Sequence, residues 1–154
     1  WKIYTKTDII PPQYISAEAV VERSIIGEGS EIHGEVYNSV IGPGVVIKKG
    51  SVVRNSIIMK QSFIGENVTI DKAIIAENVT VGNNVVMGVG EDVPNKEKPR
   101  VYSFGLVTIG ENSVIPADVR IGINTAIVGE TTPEDYPDGE LASGETLNKE
   151  GETA

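Results

Sequence analysis

Aliphatic side chains return at every sixth position along much of this chain. Ile26 is followed by Ile32, Ile41 by Ile47 and Val53, Ile58 by Ile64 and Ile70, and Ile75 by Val81 and Met87. After a break the beat resumes at Ile109, Ile115, Ile121 and Ile127. Longer segments beginning at Ser24, Ser39, Ser56 and Ala73 repeat one another at spacings of 15, 17 and 17 residues. Self-similarity at a fixed period marks a repeat architecture. A six-residue period fits neither an α-helix nor one long strand; it fits a short strand and a tight corner, repeated. Two residues before the aliphatic stands a small or β-branched residue, as Val45 before Ile47, Val68 before Ile70 and Val79 before Val81. Strand alternation turns both side chains inward. The corners read Gly-Glu-Gly, Gly-Glu-Asn or Gly-Asn-Asn, residues that accept the positive φ of a sharp bend.

Three such sides make a coil of about 17 residues, so the sequence predicts an all-β, single-stranded parallel β-helix of triangular section with about five coils. Ile26, Ile41, Ile58 and Ile75 should stack inside, and Arg23, Asn38, Asn55 and Lys72 at one outer corner. Each buried aliphatic contributes about 1.5–3 kcal/mol, too little for one coil to offset its ordering entropy alone. Neighbouring coils must share the burial. The hexad form resembles left-handed β-helices, and that likeness is the source of the expected hand. Residues 1–18 read as an extended lead whose Pro11-Pro12 cannot join a central strand. Residues 19–87 should form about four coils, 88–106 an excursion loop with Pro94 and Pro99, 107–129 a final coil, and 130–154 an acidic tail.

Composition narrows the chemistry. The 154 residues include no Cys and one His, His33, which removes disulfides, thiolate zinc sites, cysteine nucleophiles and any centre needing two imidazoles. Net charge is −9, and most of it lies in residues 130–154, with eight acids against Lys149. That tail has too little apolar content to order itself and is expected to be largely disordered. A nearly neutral body carries no basic stripe for nucleic acid. No apolar run reaches the roughly 18 residues of a membrane span, and no signal peptide opens the chain, so a cytoplasmic location is expected. The first residue is Trp1, which suggests a processed chain or a piece of a longer one.

Few residues offer chemistry. His33 could serve as the general base of a stand-alone hexapeptide-repeat acyltransferase using acyl-CoA. It follows inward Ile32, at the stack position of Lys48 and Gly65, and should be an exposed corner residue. Lys96, Lys98 and Arg100 gather in the excursion loop and could grip a phosphorylated effector, although Glu91, Asp92 and Glu97 stand beside them. Lys48, Lys49 and Arg54 form a second basic group on one coil. Gly88-Val89-Gly90 lacks the following helix a phosphate loop requires. Trp1, Ile3, Tyr4, Tyr14 and Ile15 place large apolar groups in an irregular lead, where they should cap the first coil or dock on another domain.

The order of motifs carries a more specific likeness. Trp1-Lys2-Ile3-Tyr4-Thr5, then Pro11-Pro12-Gln13-Tyr14-Ile15, then Ser24-Ile25-Ile26-Gly27-Glu28-Gly29 and Ile32-His33-Gly34, resembles the C-terminal domain of bacterial glucose-1-phosphate adenylyltransferases, also called ADP-glucose pyrophosphorylases. Ser39-Val40-Ile41, Ser56-Ile57-Ile58-Met59, Ala73-Ile74-Ile75 and the re-entry at Gly105-Leu106-Val107-Thr108-Ile109 extend the resemblance to about residue 129. It implies a piece without the N-terminal catalytic domain, which in the family joins ATP and glucose 1-phosphate into ADP-glucose and pyrophosphate with Mg²⁺. This segment alone should then be inactive and hold no cofactor. Its implied partners are that catalytic domain and further copies in a homotetramer, with an effector site between the domains. Where some members carry an activator lysine, this chain has Ser103.

Overall fold

A computed structural model describes residues 9–149. Every strand in it is short and every pairing is parallel, and the strands fall into three sheets. The first sheet has six strands, from Tyr14–Ile15 to Val114–Ile115. The second has seven, from Val20–Glu22 to Glu140–Leu141, and the third seven, from Ile25–Ile26 to Thr146–Asn148. Successive strands of the chain visit the three sheets in turn, which winds the backbone into a triangular parallel β-helix. Two 3-10 turns, Pro133–Asp135 and Pro137–Gly139, are the only helical pieces among the described residues.

Register explains why the beat falls at sixth positions. In the third sheet Ile26 pairs with Ile41, Ile41 with Ile58, Ile58 with Ile75, Ile75 with Ile109 and Ile109 with Ile127. The first sheet aligns Ile32, Ile47, Ile64, Val81 and Ile115 in the same way. Nearly all of these side chains are fully buried in one continuous core. The inward position two residues earlier often carries serine, whose hydroxyl joins coils. Ser51 Oγ donates to the Gly65 carbonyl at 2.6 Å and accepts from Val68 N at 2.9 Å, and Ser62 Oγ repeats the pattern one coil later. A buried hydroxyl is thereby satisfied without water.

Asparagine dominates the corners because three bends per coil need positive φ, and its amide can also ladder. Asn38, Asn55, Asn67, Asn78, Asn84, Asn112 and Asn124 all have φ between 47° and 59°. Asn38 Nδ2 donates to Asn55 Oδ1 at 2.9 Å, and Asn84 Nδ2 to Asp118 Oδ1 at 2.8 Å.

Both ends of the chain correct the reading of the sequence, and together they raise the coil count from about five to seven. In the lead, Tyr14–Ile15 joins the edge of the first sheet against Glu31–Ile32, while Pro11 and Pro12 stay outside any strand. Residues 130–149 are ordered rather than disordered. Ile121 pairs with Leu141, and Ile127 with Leu147, so the tail adds a rung to the second and third sheets. Leu141 and Leu147 stand six residues apart and continue the columns; averaged composition hides two apolar residues at the right positions. The ladder's hydrogen bonds supply the rest.

Tyr136 seals this last coil. Its ring is buried, its hydroxyl lies 2.8 Å from Thr131 Oγ1, and burial pushes the phenol up to about 12. A folded-state value above the ordinary 10.0 means that the neutral phenol's stabilisation is intact below pH 10. It is lost as pH rises from 10 toward 12. Chemical denaturation across that window should show a loss of about 2–3 kcal/mol. Tyr136→Phe should flatten that slope.

Candidate functional site

The second-to-third corner of the fifth coil opens into the chain's longest interruption, between the strands Val86–Val89 and Val107–Ile109. Two buried asparagines hold it in place. Asn124, at φ 55° on the next coil, donates from Nδ2 to Asp92 Oδ1 at 2.7 Å and to the Val93 carbonyl at 2.9 Å. Its Oδ1 accepts from Gly105 N at 2.8 Å. One side chain therefore fastens the loop's entry and its exit. Asn95, inside the loop, donates to the Asn124 carbonyl at 3.0 Å and to Thr146 Oγ1 at 3.1 Å. Its Oδ1 accepts the backbone N–H groups of Glu97 and Lys98 at 3.0 and 2.8 Å, which turns the chain sharply. The Lys96 backbone N–H reaches Gly144 O at 2.8 Å.

On this pinned frame the basic trio points outward. Lys96 is ion-paired with Glu145 of the last coil, whereas Lys98 and Arg100 are exposed without a salt bridge among the described residues. Phe104 is 88% exposed with φ 62°, and Val101 is exposed beside the cations. Cations and large apolar groups thus share one surface. The sequence singled out the cations but not Asn95 or Asn124, the residues that shape the loop. Asn124 could have been found, since it continues the corner column of Arg23, Asn38, Asn55 and Lys72.

The remaining candidates lie elsewhere. Tyr14 and Ile15 sit at the opposite end of the solenoid, on the outer sheet edge, both exposed. Trp1, Ile3 and Tyr4 lie outside the described residues. His33 is not the exposed corner residue expected: its side chain is 23% exposed, with the Tyr14 ring 5.6 Å from its own. The first-to-second corner at His33-Gly34 is short, and strand Tyr14–Ile15 covers it. Nε2 of His33 lies 3.8 Å from Glu31 Oε2.

The outer face of the third sheet carries a row of exposed aliphatic side chains on the early coils. Ile25, Val40 and Ile57 stand in register and are 68%, 42% and 43% exposed. Ile74 continues the row.

Comparison with known proteins finds relatives of the chain. Glucose-1-phosphate adenylyltransferase of Lachnospira eligens is 60% identical over 152 residues, covering 99% of this chain and 36% of that protein. The Thermotoga neapolitana protein of the same name is 54% identical over 145 residues, covering 94% of this chain and 34% of its own length. The chain thus spans about a third of the length of these curated relatives. A hexapeptide transferase family protein from Anaplasma phagocytophilum aligns with a TM-score of 0.49 at 14% identity, covering 88% of this chain and 69% of its own. A family model described as GlmU-like, C-terminal hexapeptide matches residues 13–109. The chain belongs to that hexapeptide family and corresponds to the C-terminal hexapeptide domain of glucose-1-phosphate adenylyltransferases.

Proposed function

We propose that this chain is the regulatory and assembly domain of a cytoplasmic glucose-1-phosphate adenylyltransferase. The reaction joining ATP and glucose 1-phosphate, with its Mg²⁺, belongs to an N-terminal nucleotidyltransferase domain docked on the β-helix, and further copies complete a homotetramer. The observation that carries this reading is the apolar row Ile25, Val40 and Ile57 on the third sheet. A flat, in-register column of aliphatic groups gains nothing from water and favours burial against another protein surface. Lys98 and Arg100 lie on the loop at a border of that same sheet, where they can meet a phosphorylated effector at the junction. Lys96 assists from its pair with Glu145. Tyr14 and Ile15 add a second docking point at the far end.

The purified chain should release no pyrophosphate from ATP and glucose 1-phosphate. Supplied with the N-terminal two-thirds of the Lachnospira eligens relative, it should co-elute with that domain in gel filtration. Ile57→Glu should abolish co-elution, because a carboxylate would be buried unpaired. Turnover by the chain alone, or association indifferent to Ile57→Glu, would overturn the reading. Acetyl-CoA is expected to leave the melting temperature unchanged; stabilisation abolished by His33→Ala would instead favour an acyltransferase.

A further inference from the structure

The second-to-third corner of the first three coils gathers groups that the docking role leaves unused. Arg23, Tyr37, Asn38, Arg54 and Asn55 line an open pocket of about 380 Å³. Arg23 and Arg54 stand 31 residues apart in sequence, yet the coil repeat sets them two rungs apart on one edge. At the usual strand spacing that is about 9.5 Å between backbones, within reach of two long side chains converging on one ligand. Among the described residues neither guanidinium has an ion pair or a hydrogen bond; Arg54 lies over the Tyr37 ring, 5.1 Å from its centroid.

The nearby acids lie at the same corner, and two of them are held by hydrogen bonds to its residues. Glu35 accepts the Tyr37 hydroxyl at 2.8 Å, and Asp71 accepts the Asn55 amide at 2.8 Å. Glu22 pairs in register with Tyr37 and forms no salt bridge to either arginine. Arg23 has φ 48°, a conformation that costs an ordinary side chain about 1–2 kcal/mol and that asparagine, used on the next two rungs, adopts more cheaply.

We propose that Arg23 and Arg54, with the Tyr37–Asn38–Asn55 corner between them, form a binding site for a phosphoryl group, separate from Lys98 and Arg100. Two planar five-donor forks supply more donors than one carboxylate can accept, and they suit the oxygens and double charge of a phosphoryl ligand. The stacked Arg54 is already oriented, so less entropy is lost on binding.

The test uses the ¹⁵N-labelled chain titrated with inorganic phosphate, with sodium chloride adjusted to hold ionic strength constant. Saturable shifts are expected at the Arg23 and Arg54 Nε–H signals and at the Asn38 and Asn55 amides. Arg23→Asn, which suits the positive φ and extends the asparagine ladder, should preserve the fold and weaken binding about tenfold or more. Arg54→Gln should do the same. Shifts that stay linear in phosphate, that survive unchanged in Arg23→Asn, or that map only to Lys98 and Arg100 would each overturn the assignment.

Discussion

Replacing Ile58 with alanine is expected to destabilise the chain by about 3–5 kcal/mol, the upper part of the range for a buried aliphatic. Ile58 is fully buried at the middle of the third column, between Ile41 and Ile75. The cavity cannot close easily, because parallel ladders on both sides fix the spacing of the rungs. A domain of this size has about 5–15 kcal/mol in all, so one truncation removes a large share. Its strand neighbour supplies the control: Ile57 points outward, and Ile57→Ala should change stability by no more than about 0.5 kcal/mol. Urea titrations of the two variants should therefore separate widely. Equal losses would mean that the inward and outward faces have been assigned in the wrong register.

That contrast is the part of the fold most legible in the sequence. Strand alternation and a six-residue period leave one inward solution, and Ile26, Ile41, Ile58 and Ile75 occupy it. The corner column of Arg23, Asn38, Asn55 and Lys72 is equally readable, because positive φ favours a short list of residues. The end coils were harder. Tyr14–Ile15 pairs through backbone groups while both side chains remain exposed, so no hydrophobic signal announces the strand. Leu141 and Leu147 do continue the beat, but 14 residues beyond Ile127 and amid acids that lower the average hydropathy. A rung added to an existing stack needs less apolar area than a free-standing one, since the ladder below already presents hydrogen-bonding partners.

The loop was legible in extent and in its cations, but not in its shape. Lys96, Lys98 and Arg100 declare themselves by charge. Most hydrogen bonds of Asn95 and Asn124 go to backbone carbonyls and N–H groups, which any residue could supply, so no sequence pattern reports those partners. Nor could spacing reveal that Glu145 would meet Lys96 across 49 residues, because that depends on the tail returning as a coil.

Asn124→Ala should accordingly do more damage than loss of any exposed corner asparagine. Its side chain makes three hydrogen bonds, one to the Asp92 carboxylate, and its removal leaves the buried Gly105 N–H without its acceptor. Leaving such groups unsatisfied costs about 1–3 kcal/mol each where water cannot enter, and alanine at φ 55° adds about 1–2 kcal/mol of strain. Water can reach the outer part of the loop, which sets the expected total at about 3–4 kcal/mol. Asn124→Gly separates the contributions: it accepts positive φ and should recover about 1 kcal/mol, but not the three bonds. Asn124→Asp tests the polarity of the arrangement. It keeps an acceptor for Gly105 while setting a second carboxylate against Asp92, so it should destabilise at neutral pH. Amide exchange at Gly105 and at the Glu97 and Lys98 turn should quicken in the alanine and glycine variants, with the Ile58 column unaffected. Unchanged exchange in the loop would show that Asn95 and the Lys96 contacts suffice to hold Lys98 and Arg100 in place.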